Sequence, residues 1–231
     1  MNLNLFLTGG GDQEAFQKLD KAFLKELPDR AHLLVLPLAC EEEDFQEVFE
    51  RVEECFEDSK IESIDMIKKV KDLTHEKISQ YHAVFVEGGN TFKLIKALRD
   101  THLFQYLKAF LKEDKIIYAD SAGAIALGAN VESGFLGEAA DEDELKIQDW
   151  RGLGFLGNWS VHCHHEPEDL DALNDLMYAS GSTFLALSEP CGIHIKNNTV
   201  RVLGSAPLEI VDFTGSHRHP PGAVVEMDFS S

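Results

Sequence analysis

Short, nearly continuous apolar runs alternate with amphipathic helical segments along most of this chain, and that alternation limits its folds more than any other feature. Residues 3–7, 33–38, 61–67, 83–86, 116–119, 159–163 and 184–187 read as strands. Between them, Phe45, Val48, Phe49, Val52 and Phe56 recur at three- and four-residue steps within 41–58, and Phe104, Leu107, Ala109, Phe110 and Leu111 form a similar stripe. The first period is a buried strand and the second is one face of a helix. Strands apolar on both faces need cover on both sides, so the pattern predicts an α/β fold of three layers: a mostly parallel sheet with helices on either face. Near the end, runs flanking Lys196-Asn197-Asn198 predict a C-terminal β-hairpin, "PLEIVDF" a further strand, and the residues from His219 an irregular tail with at most an edge strand. No internal repeat and no Pro/Gly/Ser linker interrupts the chain, so residues 1–231 are expected to form one α/β domain.

Charge narrows the function. With 41 acids against 21 bases the net charge is −20, which repels polyphosphate and anionic lipid and makes neither nucleic acid nor membrane an expected partner. The N-terminal apolar stretch lacks a basic flank and runs into glycines, so it is not read as a secretory signal. Cys40, Cys55, Cys163 and Cys191 show no paired spacing and read as free thiols of a cytoplasmic protein. Oligomeric state is not legible, and a homodimer stays open.

Chemistry concentrates where strands end. In "KIIYADSAGAIALG" a buried strand stops at Asp120, and Ser121 precedes a helix of small residues. "ADSAG" is close to G-x-S-x-G, the strained strand-to-helix turn that exposes a serine Oγ, with Ala119 in place of the first glycine. The alternative is Ser121 as a plain N-cap. The N–H of Ala122 is a candidate oxyanion donor. "VEGGNTF" supplies the other candidates: Gly88 and Gly89 free the backbone at a strand end, and Asn90-Thr91 open a helix, so Gly88, Gly89 and Asn90 join Ala122 as candidate oxyanion and substrate-binding residues. "LTGGGD" after the first strand is not G-x-G-x-x-G, and no ribose-binding acid follows, so it reads as a tight turn rather than a dinucleotide site.

A nucleophilic serine needs a base, and "NWSVHCHHEPEDL" offers three imidazoles. On an extended strand His162 and His164 share a face and Cys163 takes the other. Three His and a Cys are capable metal ligands. Two same-face imidazoles make only half a site, however, and no CxxC cluster completes it, so no metal and no organic cofactor is expected. Glu189, just after the 184–187 strand, is the candidate third member, because Asp120 beside the serine would point its side chain elsewhere. The resulting order Ser…His…Glu differs from the Ser…acid…His of α/β-hydrolases.

With "GGNTF" at 88–92, "SAGA" at 121–124, "GLGFL" at 152–156, "SVHCHHEP", "LSEPCGIHI" and "VRVLG" in this order, the chain from its first strand to about Leu203 resembles the dipeptidase E and cyanophycinase family of serine peptidases. The resemblance implies a fold similar to class I glutamine amidotransferases and an activity on small peptides without a cofactor. It also implies a nucleophile at Ser121, a base at His164 with His162 the alternative, an acid at Glu189, and oxyanion donors at Gly88 or Gly89 and Ala122. One departure bears on substrate. Family members that cleave after aspartate carry arginines after the histidine, whereas "EPEDLDALNDL" has no base, leaving only Arg151, Arg99, Arg201 and Arg218. An aspartyl preference is therefore not expected, and the acidic segment 132–150 points toward a neutral or basic substrate. The rival class is a non-catalytic binding protein that kept the turn but lost its grip on substrate. A cysteine-type amidotransferase is disfavoured by Ser at position 121.

Overall fold

The alternation read from the sequence becomes alternation in space. In the computed structural model, which describes residues 2–11, 13–57, 60–67 and 69–229, the order is β1 (Asn4–Thr8), α1 (Gln17–Glu26), β2 (Ala31–Leu36), α2 (Phe45–Cys55), β3 (Ile61–Met66), α3 (His75–Ile78), β4 (Ala83–Val86), α4 (Thr91–Arg99), α5 (Leu103–Lys112), β5 (Ile116–Asp120), α6 (Ala122–Leu127), β6 (Trp159–His162), α7 (Leu170–Ser180), β7 (Thr183–Ala186), β8 (Gly192–Lys196), β9 (Thr199–Val202), β10 (Leu208–Asp212), β11 (Gly215–His219) and β12 (Val224–Glu226). Asp12 and Asp58, which close the first glycine cluster and the acidic run, lie outside the described residues.

An eight-stranded sheet runs β12-β9-β8-β1-β5-β4-β2-β3. Its β1-β5-β4-β2-β3 part is parallel, and the β8–β9 hairpin and β12 extend it antiparallel at one edge. Side chains alternate across it with the period of two that strands impose. Leu5, Leu7, Val84, Val86, Ile117 and Ala119 face α4, α5 and α6, while Phe6, Leu33, Val35, Phe85 and Tyr118 face α1 and α2. The sheet is therefore the middle of three layers, as the apolar pattern required.

Two features differ from the expectation. The 159–163 and 184–187 runs do not enter the main sheet: β6 and β7 pair parallel in a second, four-stranded sheet, β11-β10-β7-β6, covered by α7 through Leu173 and Met177. The strand β11 carries Ser216, His217 and Arg218, all exposed, so it has no apolar alternation to announce it.

A buried histidine in the main sheet gives the fold a predictable acid sensitivity. His194 on β8 stacks on Phe6 with ring centroids 4.0 Å apart and donates from Nε2 to Asn4 Oδ1 at 2.9 Å. Burial pulls its pKa down to about 4. The folded value lies below the unfolded one, so the stability this group contributes is present above about pH 6.5 and is lost as pH falls toward 4. Between pH 7 and 4.5, urea unfolding of the wild type is expected to lose about 2 kcal/mol more than that of His194→Phe, which keeps the stack without the titration. Asp20, which burial pushes up to about 6, is common to both proteins and cancels in the comparison.

Candidate active site

Parallel strands end on one side of their sheet, and here five ends meet. Pairing sets Thr8 beside Asp120 and Val86 beside Ala119 at the ends of β1, β5 and β4 in the main sheet, and His162 beside Ala186 at the ends of β6 and β7 in the second. The His164 N–H, donating to the Gly9 carbonyl, joins the two rims. Ser121 sits at the tip of the β5–α6 turn with φ 47° and ψ −113°. Holding a non-glycine residue there costs about 1–3 kcal/mol, which the surrounding packing has to over-determine. Gly123 supplies part of that packing, because a Cβ on it would lie 2.5 Å from the Val86 carbonyl oxygen. The serine's side chain caps no helix amide, so the plain N-cap alternative does not describe it.

His164 Nε2 lies 2.8 Å from Ser121 Oγ, and His164 Nδ1 lies 3.1 Å from Glu189 Oε1. The three side chains form a continuous relay, with the imidazole about one-quarter exposed and Glu189 more than half exposed. His162 is not part of it. β6 ends at His162, and His164 takes φ 53°, which breaks the extended alternation that would have put His162 and His164 on one face. His164 turns toward the serine. His162 and His165 turn the other way, into a buried group with Asp169, where His162 Nε2 donates to Asp169 Oδ2 at 3.1 Å. Burial is the main cause that lowers the His162 pKa.

The first glycine cluster belongs to this site, although its sequence announced only a turn. Gly9 accepts the His164 N–H on its carbonyl at 2.9 Å. A Cβ on Gly10, at φ +88°, would lie 2.2 Å from His164 Cε1, and one on Gly11 would lie 2.7 Å from Glu189 Cβ. The backbone of 9–11 is thus the floor on which the side chains of His164 and Glu189 rest. Gly10→Ala is expected to displace the imidazole while leaving the sheet intact. Peptide hydrolysis should fall about 10²-fold with an unchanged far-UV circular dichroism spectrum, the scale that an ångström-sized misplacement commands.

The candidate oxyanion donors are not equivalent. The Gly88 N–H donates to Glu87 Oε1 at 3.0 Å, and Glu87 in turn accepts from Arg51 at 2.6 Å. Gly89, at φ +107° and bridged through its backbone to Ala39, and Ala122, a first-turn amide that α6 itself leaves unmatched, are the remaining candidates. Asn90 serves the helix rather than the cleft. Its Oδ1 accepts the N–H groups of Phe92 and Lys93, and its amide donates to the Glu142 carbonyl. Asp120 turns its carboxylate to the Thr8 hydroxyl; desolvation is the main cause that raises its pKa.

A cleft of about 370 Å³ opens over Ser121 and His164. Segment 132–150 does contribute to it, through Ser133, Gly134, Leu136, Ala139 and Asp141. Its lining carries the carboxylates of Glu87, Asp120 and Asp141 and, among the described residues, no basic side chain except His164. Of the four arginines considered as holders of an acidic side chain, Arg99 and Arg151 pair with Asp149, Arg218 lies 3.8 Å from Glu209, and Arg201 stands on β9.

A serine on a strained turn after a parallel strand, hydrogen-bonded through an imidazole to a carboxylate, defines the class of serine hydrolases built on an α/β sheet. The family follows from comparison: the sequence profile of peptidase family S51 matches residues 5–203, and the chain belongs to that family, the dipeptidase E family of serine peptidases. Among solved structures it resembles a peptidase from an acI-B1 Actinobacterium, with a TM-score of 0.72 at 18% identity over 98% of each chain. It also resembles a Listeria monocytogenes protein described as a candidate peptidase E, with a TM-score of 0.67 at 17% identity over 88% of this chain and 99% of that one. At these identities the likeness is one of fold. No curated protein sequence matches. Among the described residues, no helix is long and apolar enough to cross a membrane.

Proposed function

We propose that this peptidase hydrolyses amide bonds of small peptides through Ser121, His164 and Glu189. The observation that carries the reading is the relay itself, Oγ to Nε2 at 2.8 Å and Nδ1 to carboxylate at 3.1 Å, at the floor of a cleft. His164 takes the Ser121 proton as Oγ attacks the scissile carbonyl carbon. The Ala122 and Gly89 N–H groups hold the oxyanion of the tetrahedral intermediate. Glu189 accepts from Nδ1–H, which fixes the tautomer and stabilises the imidazolium. The C–N bond then breaks as the imidazolium gives its proton to the leaving amine. Water, deprotonated by His164, releases the acyl group and restores Ser121. No step calls on a metal or cofactor.

Cleft chemistry sets the substrate class. The lining offers carboxylates, of which Glu87 is already paired with Arg51, and no arginine free to receive an acidic side chain, so its field favours neutral or basic residues. The four free cysteines fit a reducing cytoplasm as the working compartment. With purified enzyme and a dipeptide library, release of free amino acids is expected from neutral and basic dipeptides, with kcat/KM for aspartyl dipeptides at least about tenfold lower, a difference of about 1.4 kcal/mol in transition-state binding. Turnover confined to aspartyl dipeptides contradicts the substrate assignment, and no turnover of any member contradicts the activity.

A further inference from the structure

The buried group beside the triad has the makings of a metal site. One ligand atom each from His162, His165 and Asp169 lies within 4.8 Å of the other two. Asp169 Oδ2 is 3.1 Å from His162 Nε2 and 3.7 Å from His165 Nδ1. Ligands about 2.0–2.2 Å from one tetrahedral ion stand roughly 3.3 Å apart, so the 3.1 Å separation would open slightly and the 3.7 Å one close slightly. The two imidazole planes cross at 74° with centroids 5.6 Å apart, which lets both nitrogens converge on one point.

Hydrogen bonding alone does not account for the group. Asp169 Oδ2 accepts the Glu166 N–H at 2.8 Å and His162 Nε2 at 3.1 Å, but His165 Nδ1, like His162 Nδ1, is buried without a hydrogen-bond partner. The other nitrogen of His165, Nε2, lies 3.3 Å from Glu209 Oε2. An imidazole that donates one N–H to a carboxylate while its other nitrogen points at a shared centre is the arrangement that metal-ligating histidines use. Glu209 is itself buried and is fixed by the Ser216 hydroxyl. Two buried carboxylates around two imidazoles therefore face one basic side chain, Arg218, at 3.8 Å and largely exposed. A divalent cation would balance that charge where no solvent does.

We propose that His162, His165 and Asp169 bind one first-row divalent ion of the zinc type, with Glu209 as the outer carboxylate on His165. The ligands bracket the loop that carries His164. Gly137, on the cleft-forming segment, packs so closely that a Cβ there would lie 3.3 Å from both Asp169 carboxylate oxygens. The ion pins base and cleft wall to α7. It takes no part in bond making, and the site is separate from Ser121, His164 and Glu189.

The test uses untagged, chelator-treated full-length protein with Zn²⁺ alone and, for its visible spectrum, Co²⁺ alone. One equivalent is expected to bind. At a hundredfold excess over its dissociation constant, Zn²⁺ should raise Tm by about 5–10 °C. Co²⁺ should give the visible absorption of a site with nitrogen ligands and low coordination number. His165→Gln with Asp169→Asn should abolish the bound equivalent, and Glu209→Gln should weaken it about 10–100-fold. His164→Ala should retain it. Absence of a bound equivalent in the wild type overturns the proposal, as does binding that survives the double substitution. Loss of the equivalent in His164→Ala places the ion at the triad and overturns it too. Should the double variant fail to fold, the Glu209→Gln and His164→Ala comparisons still decide. Because the readouts are binding and spectra rather than turnover, failure here leaves the peptidase reading standing.

Discussion

Replacing Ser121 with alanine is expected to lower kcat for peptide hydrolysis by about 10⁶-fold, the scale at which an acyl-transfer triad fails when its nucleophile is removed. The fold should not suffer. Ser121 Oγ bonds only His164 among the described residues, and its side chain caps no helix. Its backbone strain is a second reason for a mild effect on stability: alanine occupies the same φ and ψ at similar cost. Tm should therefore stay within a degree or two while turnover disappears. KM for any residual reaction should change little, because the hydroxyl contributes to the transition state far more than to ground-state binding.

His164→Ala is expected to be as damaging, near 10⁶-fold, and the double variant Ser121→Ala/His164→Ala no worse than either single one. Groups that act as one unit are not additive, since the second removal takes away nothing that still functions. A double-mutant cycle in kcat that instead showed the two losses multiplying would mean that serine and histidine serve separate steps. The geometry argues for one unit: a single 2.8 Å contact joins them, and Glu189 reaches the serine only through the imidazole.

Much of the fold was legible because strands buried on both faces leave no polar residue to confuse the period. The parallel core, from Phe6 and Leu7 on β1 to Ile117 and Ala119 on β5, is of that kind, and the hairpin around Asn197 carried its own turn signal. What stayed hidden depends on partners rather than on period. Nothing in the 159–163 and 184–187 runs says which sheet they join, because a buried strand looks the same in either. β11 is polar because it is exposed, and polarity there mimics a loop.

The site divides along the same line. Ser121 was visible as a local pattern, since the strained turn needs small neighbours in sequence. Glu189 was visible as an acid at a strand end. The choice between His162 and His164 turned on one backbone dihedral, the positive φ of His164, which residue identity does not encode. Gly9, Gly10 and Gly11 looked like an ordinary turn because the groups that demand glycine there, Ser188, His164 and Glu189, lie more than 150 residues away. Asn90 was read both as the opening of a helix and as a cleft residue, and its hydrogen bonds show the helix cap. The pairing of His165 with His162 across Asp169 was missed because strand alternation was carried past the point where the strand stops.

The central claim is that Ser121 is a nucleophile activated by His164. The most direct measurement is reaction of the wild-type protein with a fluorophosphonate, followed by intact-mass and peptide-mass analysis. One adduct per chain is expected, carried by the peptide containing Ser121 and strongly diminished in His164→Ala. An unlabelled wild type, or an adduct on any other residue, would contradict it.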